Sequence, residues 1–347
     1  MKNFAYFLVK CWITLGLFFY YRKRSFIGAE NISANKPTIF LSNHQNALLD
    51  VLLIATASPR KLWFLTRSDV FRSPWLCSIF NFLQMLPVYR IRDGKASLAK
   101  NKSIFERCGK LLLEGQGILI FPEANHSLER RLRPLSKGFT RVVDTALGFD
   151  PKIDLQLVPI GQNYQFPTKV GDSAAVYVGK PIAVQEIVGV KDWQRVLKQR
   201  VTMAMQQLTT HISSDLSYEE YLGKLTRSKA DFTYPILINE VVNQGTSKPK
   251  KRFRSGFKTL KLAFQLLNLP AVMIWRYVIR PKVPEPEFEG TFRFGFSLLW
   301  YSLCYPLCLL VVSLSIDKTI ALLLVFGHTV LNLIFVKVGI TSFDQRK

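Results

Sequence analysis

Two uncharged apolar runs lie near the end of the sequence, Phe294–Leu314 over 21 residues and Ile320–Val336 over 17, with only Ser315–Thr319 between them. The hydrocarbon core of a bilayer is about 30 Å thick, and about 20 apolar residues of helix cross it. A helix also satisfies its own backbone N–H and C=O groups, as hydrocarbon requires. The pair is therefore predicted to form a transmembrane hairpin, residues 291–340. A pair of buried core helices is the competing reading, kept open by the shortness of the second run. Arg276, Arg280, Lys282 and Arg293 flank the first run, and Arg346 and Lys347 follow the second. Basic flanks stay in the cytoplasm, and Glu285, Glu287 and Glu289 contribute little to orientation. The expected localisation is membrane, with the bulk of the chain on the cytoplasmic face.

The N-terminus is apolar from Phe4 to Tyr21, interrupted by Lys10, and ends in Arg22-Lys23-Arg24. No small-residue cleavage site follows, so residues 1–25 read as an uncleaved membrane anchor or an interfacial helix. The net charge of +23 would suit nucleic acid or an anionic membrane. Positive mean hydropathy and the lack of a recognition motif favour the membrane, and no nucleic-acid partner is expected. The five cysteines show neither CxxC nor metal-ligand spacing. They read as small buried hydrophobes of a reducing compartment, and no metal is expected.

Residues 26–225 form the expected catalytic domain. Strand-like runs at 38–41, 62–65, 117–121, 155–160 and 174–178 alternate with helical patterns, the clearest being Leu98–Glu114, with Ser97 as N-cap and Gly115 as its stop. Such alternation predicts an α/β fold, a largely parallel sheet flanked by helices. Its catalytic loops belong at the carboxyl ends of the strands. Residues 226–290 read as a basic linker (246–258) and an interfacial helix (259–279, containing Pro270), with a full span as the alternative for the latter.

Two segments run from an apolar strand into a polar turn: SNHQNALLD at 42–50 and ILIFPEANHS at 118–127. A neutral imidazole takes a proton from a hydroxyl, and a nearby carboxylate orients the ring. Arg90, Arg92, Arg130, Arg131 and Arg133 fall near the expected strand ends, where guanidinium groups bind phosphate bidentately. For the Arg130–Arg133 run, lipid headgroups or ion pairs with acidic neighbours fit as well. The sequence has no GxSxG elbow, Walker loop or HExxH helix, which argues against an elbow-type serine hydrolase, a P-loop NTPase and a common zinc protease.

Four segments occur in order: NHQNALLD (43–50), MLPVYRIR (85–92), FPEANHS (121–127) and VPIGQNY (158–164). In this the chain resembles the glycerolipid acyltransferase family, whose best-known members acylate lysophosphatidic acid. The resemblance covers about 120 residues and leaves out the C-terminal hairpin. It implies His44 as general base and Asp50 as the group that sets its tautomer. It implies Arg90, with Arg92 as a second candidate, as ligand of the acceptor phosphate. Glu123 would contact the acceptor or fix its loop, Asn125 and His126 would add substrate contacts, and Pro159 would shape the acyl-donor side. The implied co-substrate is acyl-CoA or acyl-carrier protein, with no cofactor. The implied reaction acylates the hydroxyl of 1-acylglycerol-3-phosphate, giving phosphatidic acid. Glycerol-3-phosphate or a lyso-aminolipid is the alternative acceptor, and a non-catalytic lipid-binding scaffold is the alternative outside enzymology.

Three departures from the family pattern matter. Five residues separate His44 from Asp50, one more than is usual, and on a continuous helix one residue turns a side chain by about 100°. Ala124 stands where glycine is usual, and a positive φ there would strain it. His126 stands where arginine is common, and a histidine is only partly protonated near neutral pH.

Overall fold

The computed structural model of the chain describes residues 2–71, 73–89, 99–213, 217–245, 251–252 and 258–340. Helix α1 (Lys2–Tyr20) leads into strand β1 (Lys23–Ile27). There follow β2 (Thr38–Ser42), α2 (Ala47–Ala57), β3 (Leu62–Arg67), α3 (Pro74–Phe82), β4 (Met85–Val88), α4 (Asn101–Leu113) and β5 (Gly117–Ile120). After α5 (Gly138–Phe149) come β6 (Gln156–Tyr164), β7 (Ser173–Val178), the short β8 (Ile182–Ala183) and α6 (Trp193–Leu208). The sheet runs β1-β7-β6-β2-β5-β3-β4, with β8 beside β6. Among the described strands of this sheet, the pairings of β6 with β7 and with β8 are antiparallel and the others parallel.

Strand β2 lies at the centre, paired in parallel with β5 and β6, and all five of its residues are buried. Its side chains alternate between the two faces, as the pleat requires. Ile39 and Leu41 pack with α4, α5 and α6 through Cys108, Leu112, Phe139, Val143 and Leu197. Phe40 points the other way, into a cluster with Leu17 and Tyr20 of α1 and with Leu49, Leu53 and Ile54 of α2. A sheet covered on both faces explains why its strands read as continuous apolar runs. The predicted helix at 98–114 is α4, which stops at Gly115, whose φ of +73° suits glycine. The proposed N-cap Ser97 and residue 98 lie outside the described residues.

Helix α1 is apolar but shorter than a full span. It exposes Phe4, Phe7 and Leu8 while Leu17 and Tyr20 are built into the core beside β2. It is thus joined to the sheet domain rather than tethered beside it.

Helices α7 (Tyr218–Arg227) and α8 (Pro235–Asn243) cover one edge. Residues 258–282 form two helices, α9 (Lys258–Leu267) and α10 (Leu269–Ile274, continuing to Lys282), that meet at 96°. This differs from the single interfacial helix expected. Pro270 cannot donate to the ladder, and the Asn268 side chain instead donates to Asn332 Oδ1 on a later helix (2.6 Å). Helices α11 (Glu289–Ser315) and α12 (Lys318–Val338) are each long and apolar enough to cross a membrane. The turn between them is closed by Asp317, which accepts N–H bonds from Thr319 (2.7 Å) and Ile320 (3.2 Å). Lys337, which cut the second run short, reaches back to the carbonyls of Phe18 (2.7 Å) and Tyr21 (2.9 Å) at the end of α1.

Candidate active site

Strand β2 ends at Ser42, and the next residues form a short loop before α2. Asn43 holds that loop to β6 through two bonds: its Nδ2 donates to the Gln162 carbonyl (3.0 Å), and its Oδ1 accepts the Gln162 N–H (2.7 Å). His44 follows, outside the helix. Its ring stacks on Phe121 at 4.0 Å between centroids, and its side chain remains 19% exposed. Nδ1 lies 2.7 Å from Asp50 Oδ2.

The extra residue between His44 and Asp50 is absorbed before α2 becomes regular. Asn46 and Ala47 leave the usual helical region, with φ of −134° at Asn46 and +42° at Ala47. The chain turns at Ala47, and Asp50, in the first turn of α2, points back towards His44. Asp50 is fully buried. Its Oδ2 also accepts the N–H groups of Gln45 and Asn46, each at 2.8 Å. Its Oδ1 accepts the Tyr164 hydroxyl at 2.6 Å. A buried carboxylate is tolerated when its lone pairs are used in this way. Burial, and then the charge of Asp50, push the Tyr164 phenol well above its ordinary range, so it stays a donor.

Glu123 is tied into the loops on both sides. Its Oε2 accepts the His44 N–H (3.0 Å) and Arg133 Nη2 (3.2 Å), and its Oε1 accepts the Arg133 N–H (2.8 Å). These bonds tie the His44 loop to the segment around Arg133. Arg133 also donates to the carbonyl of the exposed Asn125. Ala124 has φ of +64°, the strained turn anticipated for a glycine replacement. The amides of Ala124 and Ser127 are taken by the carbonyls of Phe121 (3.3 Å) and His44 (3.0 Å).

The ring of His126 lies 5.5 Å from that of His44. It packs edge-on against Phe288 at 4.5 Å. Burial, then the neighbouring His44, push its pKa down to about 4. It is neutral at pH 7, and the Glu285 carboxylate at 3.6 Å forms neither a hydrogen bond nor an ion pair with it at that pH.

Three expected substrate contacts are placed elsewhere. The Arg130 guanidinium donates to the carbonyls of Tyr164 (2.7 Å) and Gln165 (2.9 Å) and stacks on Phe232 at 3.8 Å. Its burial lowers its pKa to about 10, and it braces the end of β6. Arg131 lies over Tyr218 (4.4 Å) and pairs with Glu129 (3.3 Å). Pro159 sits inside β6, in register with Leu41, with Gly179 donating to its carbonyl at 2.8 Å. Arg90 and Arg92 lie outside the described residues. The preceding Tyr89 is held at the carboxyl end of β4 by Asn101, whose side chain bonds its N–H (2.9 Å) and its carbonyl (2.7 Å).

Sequence reasoning missed three residues at the site. Tyr164 closes the fourth segment, where a tyrosine reads as one more strand residue. Arg67 ends β3 in register with Val88, pairs with Asp69, and contributes to depressing the His126 pKa. Thr291, in the first turn of α11, donates from its hydroxyl to the Asn46 carbonyl (3.1 Å) and accepts the Leu49 N–H (3.3 Å). Nothing local in the sequence signals that last contact.

Residues 23–162 match the family model described as Acyltransferase. A chloroplastic 1-acyl-sn-glycerol-3-phosphate acyltransferase of Brassica napus is 26% identical over 163 residues, 46% of this chain and 44% of the relative. The corresponding chloroplastic protein of Arabidopsis thaliana is 27% identical over 152 residues, 43% of this chain and 40% of the relative. The chain thus spans less than half the length of these curated relatives. The crystal structure of a 1-acyl-sn-glycerophosphate acyltransferase from Thermotoga maritima is similar with a TM-score of 0.43 and 13% identity, over 60% of this chain and 81% of that one.

Proposed function

We propose, from the match of residues 23–162 to the Acyltransferase family model, that the protein is a membrane-bound O-acyltransferase with His44 as its general base. The observation that carries this reading is the 2.7 Å contact between His44 Nδ1 and the buried Asp50. The carboxylate holds the proton on Nδ1, so Nε2 has the free lone pair. The acceptor hydroxyl gives its proton to Nε2 as its oxygen attacks the carbonyl carbon of the acyl thioester. The tetrahedral oxyanion collapses, the C–S bond breaks, and the leaving thiolate takes the proton from the imidazolium. The products are an ester and a free thiol.

The acceptor we infer is 1-acylglycerol-3-phosphate, giving phosphatidic acid, by analogy with the names of the relatives. The donor is acyl-CoA or acyl-carrier protein, and the reaction runs on the cytoplasmic face, where the basic flanks of the hairpin lie. Arg67 joins Arg90 and Arg92 as a candidate for the acceptor phosphate, because it ends the strand beside β4. Replacing His44 by Ala should lower acyl transfer by purified protein roughly 10²–10⁴-fold. Unchanged transfer would refute the mechanism.

One observation favours a second acceptor class. His126, where an arginine is common, is neutral at pH 7, which weakens the anion site. A panel with labelled acyl donor, set against 1-acylglycerol-3-phosphate, glycerol-3-phosphate and lyso-aminolipids, separates the two. Exclusive use of 1-acylglycerol-3-phosphate dismisses the second.

A further inference from the structure

A cavity of about 810 Å³ lies among the helices of the C-terminal region, and Glu289 and Arg293 in its wall flank Thr291. None of His44, Asp50, Glu123 and His126 lines it. Its walls come from α1, α9, α10, α11 and α12, with the loop at 168–170 closing one end. Most of the wall is apolar, including Leu15, Phe19, Phe264, Val272 and Phe296.

Polar groups are segregated along its length. Arg276, Arg280 and Arg293 meet the loop carrying Lys169 at one end, with Glu289 as the acidic partner. Glu289 pairs with Arg293 and, at 3.4 Å, with Arg280. Arg293 also donates to the Thr168 carbonyl and lies over Trp275. Among the described residues no carboxylate pairs with Arg276, so this end carries net positive charge. The far end has uncharged polar groups. Asn268 and Asn332 bond each other, Tyr301 donates to Asn268, and Tyr305 bonds His328 at 3.0 Å.

Length fits the same division. Along α11 the cavity runs from Glu289 to Pro306, about 25 Å of helix at ~1.5 Å per residue, of which Arg293 to Pro306 makes up about 20 Å. One leaflet with its headgroups is about 20–22 Å deep, half of a ~40–45 Å bilayer. The cationic end lies at the basic flank of the apolar helices, where headgroups are, and basic pockets between membrane helices recognise anionic headgroups.

We propose that this cavity binds a phosphate-headed acyl glycerolipid, with its phosphate at Arg276 and Arg280 and an acyl chain along α11. The site goes beyond the acyl-transfer reading and does not rest on it. Such a lipid has two sources: a bilayer phospholipid held as part of the assembly, or a single-chain lysolipid on its way to reaction.

The test uses the full chain in phosphatidylcholine vesicles containing diazirine-bearing phosphatidic acid. Illumination should label peptides of α10 and α11, and a diazirine-bearing diacylglycerol should label them roughly tenfold less. Arg276→Gln with Arg280→Gln should lower labelling by at least about tenfold, since two charge-assisted contacts are removed. Val272→Trp, which fills the apolar wall and leaves the arginines in place, should also lower it. His44→Ala should leave labelling unchanged. Displacement by unlabelled phosphatidic acid supports the bilayer source, and displacement by lysophosphatidic acid the reactant source. Displacement by neither, equal labelling by diacylglycerol, or undiminished labelling in both cavity variants would overturn the proposal.

Discussion

Asp50 accepts four hydrogen bonds with no exposed surface, and each donor comes from a different residue. Two are backbone amides of the His44 loop, so the carboxylate shapes the loop as well as orienting the ring. Tyr164→Phe removes the one donor to Oδ1. The variant should lose about 1.5–3 kcal/mol of stability, because a buried charged acceptor goes unpaired. Its kcat should fall by about tenfold while KM holds. A denaturation midpoint and kcat both equal to wild type would show that the bond carries no weight. His126 makes a second residue-scale prediction. Its pKa falls from 6.5 to about 4 on folding, so between those values the unfolded chain binds the extra proton. Stability is then fully present above pH 6.5 and declines as pH falls through about 4, by an amount on the order of 3 kcal/mol. Thermal unfolding in detergent across this range should show the decline, and His126→Phe should flatten it. An equal slope in the variant would assign the acid sensitivity to other groups.

At the scale of elements, the first turn of α11 packs against the loop that carries the dyad. Thr291 bonds the start of α2 on both sides of Ala47. Gly290 permits the approach: a Cβ there would lie 2.4 Å from Asn46 Oδ1 and 2.6 Å from the Pro167 carbonyl. Gly290→Ala should cost about 1–3 kcal/mol by overpacking and lower activity per folded molecule, since the loop must shift. Gly295→Ala on the same helix, where a Cβ meets nothing within 4 Å, is the control and should behave as wild type. Equal activity of the two variants would uncouple α11 from the dyad. The bend at Asn268 has a similar logic. The amide trades bonds with Asn332 and Tyr301, so polar contacts hold the α9–α10 bend against α11 and α12.

For the whole molecule, the apolar helices and the sheet domain form one packed unit. Phe294 of α11 joins Leu17 and Tyr20 of α1 in the core beneath Phe40 and Val158. The outer surface of the hairpin is left bare, with Leu303, Leu314 and Phe326 each more than two-thirds exposed, as a lipid-facing surface requires. Hairpin topology predicts that cysteines introduced at Lys282 and at Ser315, in a cysteine-free background, lie on opposite sides of the membrane. An impermeant maleimide applied to sealed vesicles should label one and spare the other. Labelling of both from one side would end the hairpin reading.

The strands, the helix at 101–113 and the membrane-length runs were legible in the sequence because each follows from local hydrophobic periodicity. His44, Asp50 and Glu123 were legible because they sit in short segments with their partners nearby. Charge misled where tertiary contacts decide a side chain's direction. Arg130 looked like an anion ligand by composition, yet β6 and Phe232 take its guanidinium. The bond from Tyr164 to Asp50 depends on which strands lie beside β2, and the contact of Thr291 with Asn46 joins residues 245 positions apart. The cavity needs five helices to exist at all. Patterns of solubility along the chain thus determined what each segment becomes, since burial is read residue by residue. Which polar groups meet was decided only by the packed sheet and its helices, since a hydrogen bond depends on positions in space.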